Sequence, residues 1–560
     1  MQNSETHFEV LGQRSGSWSL QKVCDGEKAA VDYARQFHSE LKLDAAKVMK
    51  ITYDTSAQNY IEKEVYFAGE KAVASKHSDV PPILPICKSA SDLYLSNSRR
   101  EIFNVLRKPL EGWKITPVEL LYCAEHVQRL NDTGQILQGA VQKVAIAQIQ
   151  KTGQKVNERV LELYNFTNEI LQDLKTHRQK SDLGIDQNED LEKLKQHLAD
   201  NEDPRKDFFV ALSHYFNRLP NLSDKFEKTL EFIEKYDDEE ILDILDHYLA
   251  DHLLWSANVK VLLGEEENLG EGLLALIDLI RGQLRPRADR HYIIDKLNSL
   301  YADNKMSISR KTLVHKLTTG LTGNASFDTT SLLQNILYHR KIAQALHLGG
   351  EKYIGESETY DALKNRCEKL TGSTTIGNLL EGLDHPLDRV ERLLDASAGF
   401  VGAVNLRSLA NYIVPILESA HNRGIVIEDI DKGFATLRRL SALQRKTRKT
   451  GFPDFFQRRI LSDLDDLAYE GMMETKIMEK MVEQSENMLM AGMALLGTVF
   501  KGEMPRPKTM TEFKLFTRKT IMAEKFLMHI QQHAKGGAVE KSRLQQFYKL
   551  LEDTRMDLKS

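Results

Sequence analysis

The chain has 560 residues, 41% hydrophobic and 28% charged, with a formal net charge of −5. That length exceeds one ordinary domain and the apolar fraction is enough for a sizeable core. The small negative net charge excludes polyanion binding by bulk charge, so any such role must be local.

Cys24, Cys87, Cys123 and Cys367 show no C-x-x-C spacing. A disulfide framework or zinc ribbon is therefore not indicated, and a reducing cytosol fits. Met1 to Val10 lacks the basic and apolar regions of a signal peptide. No apolar run approaches the ~18 residues that mark a membrane span. The expected setting is cytoplasmic.

Residues 1–70 read as a small α+β module. Phe8 and Val10, then Trp18 and Leu20, flank Arg14-Ser15-Gly16-Ser17, which is hairpin chemistry. Ala29, Ala30, Tyr33, Ala34 and Phe37 recur at helical spacing. Val48, Ile51 and Tyr53, then Tyr60, Val65, Tyr66 and Phe67, give two more strands. The order β-β-α-β-β predicts one antiparallel sheet with a helix on one face. The pattern F-E-V-L-x-x-R-x-G-S-W from Phe8, with Y-D-T-x-x-x-x-Y-x-E-x-x-V-Y from Tyr53, resembles a short N-terminal module of uncharacterised proteobacterial cytoplasmic proteins. It covers about an eighth of the chain. The resemblance implies a bacterial cytoplasmic setting and carries no known activity with it.

Residues 71–90, with Pro81, Pro82 and Pro85, read as a linker. Beyond them the periodicity is helical almost throughout, so the chain is expected to be mainly α, with a long multi-helix body arranged as a bundle or a solenoid. The expected segments are 91–200, 201–450 and 451–560. Thr116-Pro117-Val118-Glu119 has a Thr cap, a Pro at the first helical position and a Glu three residues after the cap. Asp203-Pro204 repeats the cap-then-Pro logic, and Asp237 with Glu240 suggests another cap. Gln135 to Lys180 has no Pro and predicts one long helix despite Gly139 and Gly153. Later breaks are expected near Pro220, Gly264, Pro286, Gly323, Gly349, Gly372 and Gly424, and Pro415 should kink or shorten its helix. Lys316-Leu317-Thr318-Thr319-Gly320 and Lys369-Leu370-Thr371-Gly372, each followed by a Leu-Leu pair, suggest a two-copy repeat.

The stretch from Ile425 to Phe500 changes character most sharply. Ile427, Ile430, Phe434, Leu437 and Leu440 share a helix face. A basic block follows: Arg438, Arg439, Arg445, Lys446, Arg448, Lys449, Arg458 and Arg459, interleaved with Phe452, Phe455 and Phe456. Such a block could hold nucleic acid by counterion release and base stacking. Alternatively its charges pair with acids, of which Asp463, Asp465, Asp466 and Glu470 stand close in sequence. Met473, Ile477 and Met481 lie at i, i+4, i+8, and methionine suits both irregular cores and adaptable partner-binding grooves. Met488 to Phe500 carries no charge and reads as a buried helix.

Asp243, His247 and Asp251 also lie at i, i+4, i+8, which aligns three possible metal ligands on one face. A helical metal site needs ligands from further helices, and the sequence offers no repeated H-x-x-x-E or E-x-x-H pattern; no cofactor is expected. Thr371 to Asn378 reads as a helix-start turn rather than a phosphate loop, because it lacks the Walker lysine. Arg281, Arg285, Arg287 and Arg290 could grip phosphate, or answer Glu265, Glu266, Glu267 and Glu271. No G-x-S-x-G elbow or Cys–His pairing is visible. The sequence thus favours a non-catalytic regulatory or scaffold protein that binds protein partners. A nucleic-acid-binding protein and a metal-dependent helical enzyme or sensor stand as alternatives.

Overall fold

The computed structural model describes residues 6–14, 17–24, 26–40, 45–54, 59–69, 86–180, 190–286, 289–350 and 352–555. The hairpin tip at Ser15-Gly16, the prolines at 81, 82 and 85, and Arg287 lie outside the described residues. The chain is mainly α. It divides into two compact units: residues 1–92 with 135–166, and residues 93–134 with 167–560.

The first unit contains β1 (Thr6–Arg14), β2 (Ser17–Cys24), α1 (Glu27–Glu40), β3 (Ala45–Asp54) and β4 (Asn59–Gly69). All pairings are antiparallel, in the order β2-β1-β3-β4. Alternation places Phe8, Val10 and Val48 on the face that α1 covers with Ala30 and Ala34, as a half-buried sheet requires. The helix Gln135–Thr152 belongs to the same unit. The expected continuous helix to Lys180 is broken: Gly153 has φ +69° and a second helix starts at Val156. Only glycine enters that left-handed conformation without steric cost. Arg159, one turn later, is buried and donates to Gln148 Oε1 at 2.8 Å and to the Cys87 carbonyl at 2.7 Å.

The second unit has one continuous apolar core running from Val118 to Phe513. Its helix starts follow the sequence where a local cap exists. Thr116 accepts from Glu119 N in a full capping box, and Asp203 accepts from Lys206 N. Asp238, not Asp237, caps the helix Glu239–His252, accepting from Glu240 N and Ile241 N; Asp237 pairs with Lys296 instead.

At two helix starts without a local cap, a buried aspartate from another helix serves instead. Met306 and Pro507 provide no side-chain acceptor for the helices Ser307–Thr322 and Lys508–Met522. Asp246 accepts from Ile308 N at 2.7 Å and Ser309 N at 2.9 Å. Asp465 accepts from Lys508 N at 2.6 Å and Thr509 N at 3.0 Å. These bonds satisfy amides that every helix start leaves open and put a carboxylate at the positive end of the helix dipole. They also dock one helix end-on against the side of another.

Several breaks fall elsewhere than the sequence suggests. Gly424 lies inside the helix Ala420–Asp431, and the chain turns at Gly433, with φ +149°. Ile427 and Leu437 therefore sit on successive helices. The helix Ala403–Glu418 passes through Pro415 and ends three residues later. The two Lys-Leu-Thr segments are not equivalent: one lies inside Ser307–Thr322, the other ends Glu356–Leu370. A two-stranded ribbon, His347–Gly349 with Lys352–Tyr353, was not expected in the helical body.

The helix Asp454–Thr475 packs against Ala403–Glu418, Ala420–Asp431, Ala435–Thr447 and Lys508–Met522. Gly471 on this helix lets Ile430 approach so closely that an added Cβ would meet its Cδ1. A separate small core of Leu489, Leu496, Ile521, Phe526 and Phe547 holds the last helices.

Candidate functional site

The methionine-rich stretch does not form one face. Lys476 has φ +51° and separates Asp454–Thr475 from the short helix Ile477–Glu483. Met473 is 44% exposed, Ile477 is buried, and Met481 packs partly against the main core. The break turns the chain and opens a cleft of about 590 Å³. One wall is the helix Ile477–Glu483, through Met478 and Val482. The other is Lys508–Met522, through Leu515, Phe516 and Thr520. Met473 and Met488 also line it, with Glu479, Glu483, Glu512 and Lys519. Leu515 is 53% exposed and Met522, seven residues on and on the same helix face, is 49% exposed, so apolar surface continues past the cleft. Of the three residues read from sequence as partner-binding, Met473 lines this cleft. The opposite wall gave no signal, because the spacing of Leu515, Phe516 and Lys519 resembles any amphipathic helix.

The basic block divides. Arg438 pairs with Glu503, Arg439 with Asp388 and Glu391, Lys446 with Glu391 and Asp395, and Arg459 with Glu418 and Asp463. These acids, apart from Asp463, come from other parts of the chain than the neighbours read in sequence: Asp388, Glu391 and Asp395 from the helix Pro386–Ser397, Glu418 from Ala403–Glu418, and Glu503 from the loop after Lys501. Arg445 donates to Ser441 Oγ, and Arg458 to the Asp454 carbonyl. Among the described residues, Arg445, Arg448, Lys449 and Arg458 make no ion pair; all four are exposed. Phe455 is 69% exposed, whereas Phe452 is buried. In the second basic cluster, Arg290 pairs with Glu227. Arg285 shares a cleft of about 600 Å³ with Glu265, Glu266, Glu271 and Asp278.

Asp243, His247 and Asp251 do not form an open ligand set. Asp243 is paired with Arg205. Arg99, fully buried, sits against the other two: its Nε donates to both Asp251 oxygens at 2.9 Å, and its Nη1 approaches His247 Nδ1 at 3.0 Å. The guanidinium can only donate, so Nδ1 accepts and the ring is neutral with its proton on Nε2. Burial, then the charges of Arg99 and Arg205, hold the His247 pKa down at about 3. Asp251 also accepts from Val118 N at 2.6 Å. A side-chain cation thus takes the position a metal would need. Beside it, Lys225 Nζ donates to Glu119 Oε1 at 2.5 Å and to the Lys114 carbonyl at 2.8 Å, both side chains being buried.

A different trio is brought together. Donor atoms of Cys123, Glu125 and His214 lie within 4.8 Å of one another. The Cys123 thiol donates to Glu125 Oε2 at 3.1 Å. His214 is 89 positions beyond Glu125, so no local spacing could have announced the group. Among the described residues no fourth His, Cys, Asp or Glu donor joins it. All four cysteines are buried, and none is in a disulfide. Burial pushes the Cys367 thiol up to about 12, and a thiol that stays protonated is a poor nucleophile.

The fold and its clefts define a mainly helical protein with a cleft lined in part by Met473, Met478 and Met488. No family model matches the chain, and no curated protein or solved structure is significantly similar to it. Among the described residues no helix is long and apolar enough to cross a membrane.

Proposed function

We propose that this is a non-catalytic regulatory or scaffold protein that binds another protein at the cleft between Met473 and Ala523. The observation that carries the reading is the cleft's lining: Met473 and Leu515 are exposed at its mouth, Val482, Met488 and Phe516 are half-buried, and Met478 is buried behind them. Unbranched, polarisable methionine adapts to a partner's side chains at low cost. Exposed Met473, Leu515 and Met522 extend apolar surface from the cleft's mouth along the helix beside it. The corner at Arg448, Lys449 and Arg458 is a smaller candidate for a polyanion than the whole block, because Arg438, Arg439, Lys446 and Arg459 are already neutralised by acids.

The test is purification from native cells of the wild-type chain beside Met473→Lys/Leu515→Lys. Both positions are exposed, so the double variant should fold normally. A stoichiometric protein that accompanies the wild type and is lost from the variant is the expected result. Identical partners from both, or none from either, would refute the reading.

A further inference from the structure

The rim of the same cleft is charged, and its sign restricts the partner. Three carboxylates, Glu479, Glu483 and Glu512, stand against one ammonium, Lys519. Glu479 and Glu483 are exposed on the short wall and spaced i, i+4, so both project to one side of that helix. Glu512 and Leu515 are one turn apart on the facing wall, so acid and apolar anchor alternate there. The apolar side chains of the two walls are Met478 and Val482 on one and Leu515 and Phe516 on the other.

We infer that the occupant is an amphipathic helical segment of another protein, with Lys or Arg flanking its apolar stripe. This rests on the proposed role of the cleft as a protein-binding site. A helix presents anchors at i, i+3, i+4 and i+7 and inserts them as one row. The two walls leave an open trough for such a row, and the stripe of Leu515 and Met522 continues beyond it. Lys and Arg beside the row meet Glu479, Glu483 and Glu512, while a flanking acid would meet three like charges. Exposed charge pairs contribute modestly one by one but select between partners and speed their encounter.

The experiment measures binding of two labelled peptides to the full chain by fluorescence anisotropy. Both are roughly 18 residues long and share one leucine/phenylalanine stripe; one carries Lys and Arg on its flanks, the other Glu. The basic peptide is expected to bind at least about fivefold more tightly. The preference should shrink as salt rises. In Glu479→Lys/Glu483→Lys/Glu512→Lys the order should reverse, with the acidic peptide now favoured. Leu515→Lys should weaken the basic peptide at least tenfold.

Equal binding of the two peptides, both lost in Leu515→Lys, would overturn the basic partner and leave the cleft as a protein site. Basic-peptide binding unchanged by the rim substitutions would place the peptide elsewhere and also overturn it. Failure of both peptides would sink the inference, and the purification comparison above would then decide separately whether the cleft binds protein at all.

Discussion

Replacing Arg99 by methionine is expected to destabilise the second unit by about 3–5 kcal/mol, the cost of stranding one member of a buried ion pair. Asp251 would keep its bond from Val118 N but lose the guanidinium that faces both carboxylate oxygens. His247 Nδ1 and the Tyr94 carbonyl, which accepts from Arg99 at 2.6 Å, would lose a donor in the interior. Methionine fills similar space and brings no donor, so the loss is mainly electrostatic. Lysine should recover only part, because a compact ammonium cannot make the guanidinium's forked contacts. Urea unfolding read by hydrogen exchange in the helix Glu239–His252 measures the effect. An unchanged midpoint would mean that Asp251 takes up a proton at no cost, and that the pair does not organise this core.

The second large effect is acid sensitivity. Burial depresses the imidazoles of His126 to about 4, His247 to about 3, His252 to about 3 and His339 to about 4. Their unfolded value is about 6.5. A depressed folded pKa gives stability that is present above the unfolded value and lost as pH falls towards the folded one. Each of the four should therefore remove about 1.4 kcal/mol per pH unit below pH 6.5, down to its own folded pKa. Asp246 works in the opposite direction, since burial raises it to about 6. Its contribution is full below the unfolded aspartate value and is lost as pH rises through 6, so acidification restores part of the stability. His315, also depressed to about 4 by burial, adds to the four, while burial raises Asp251, Asp278, Asp463 and Glu101 as it does Asp246. A net loss is expected because the imidazoles take up their charge within this range. Denaturation midpoints measured from pH 7.5 down to 4.5 should fall with increasing slope. A flat or rising profile would show that these rings are hydrated or charged in the folded state.

Local chemistry was readable from the chain. Thr116 and Asp203 start helices because the acceptor and the amides it serves are three residues apart, and that distance is visible in sequence. The β-β-α-β-β order was visible because period two and period 3.6 differ. Contacts across long separations were not. Arg99 and Asp251 are 152 positions apart, so three aligned donors at Asp243, His247 and Asp251 suggested a metal where a guanidinium resides. Asp246 and Asp465 cap helices some 40 to 60 residues further on, with nothing at Met306 or Pro507 to announce it. The break expected at Gly424 falls at Gly433 instead, where the chain takes φ +149°. The methionines were conspicuous, but the break at Lys476 that opens the cleft was not, because lysine seldom adopts positive φ.

The measurement that tests the central claim most directly is photo-crosslinking in native cells, with the reactive group placed at 473 or 515 in the cleft, or at Tyr292, which is 69% exposed and does not line the cleft. One discrete protein adduct from 473 and 515, absent from 292, is the predicted result. Adducts of the same protein from all three positions, or none from the two cleft positions, would contradict it.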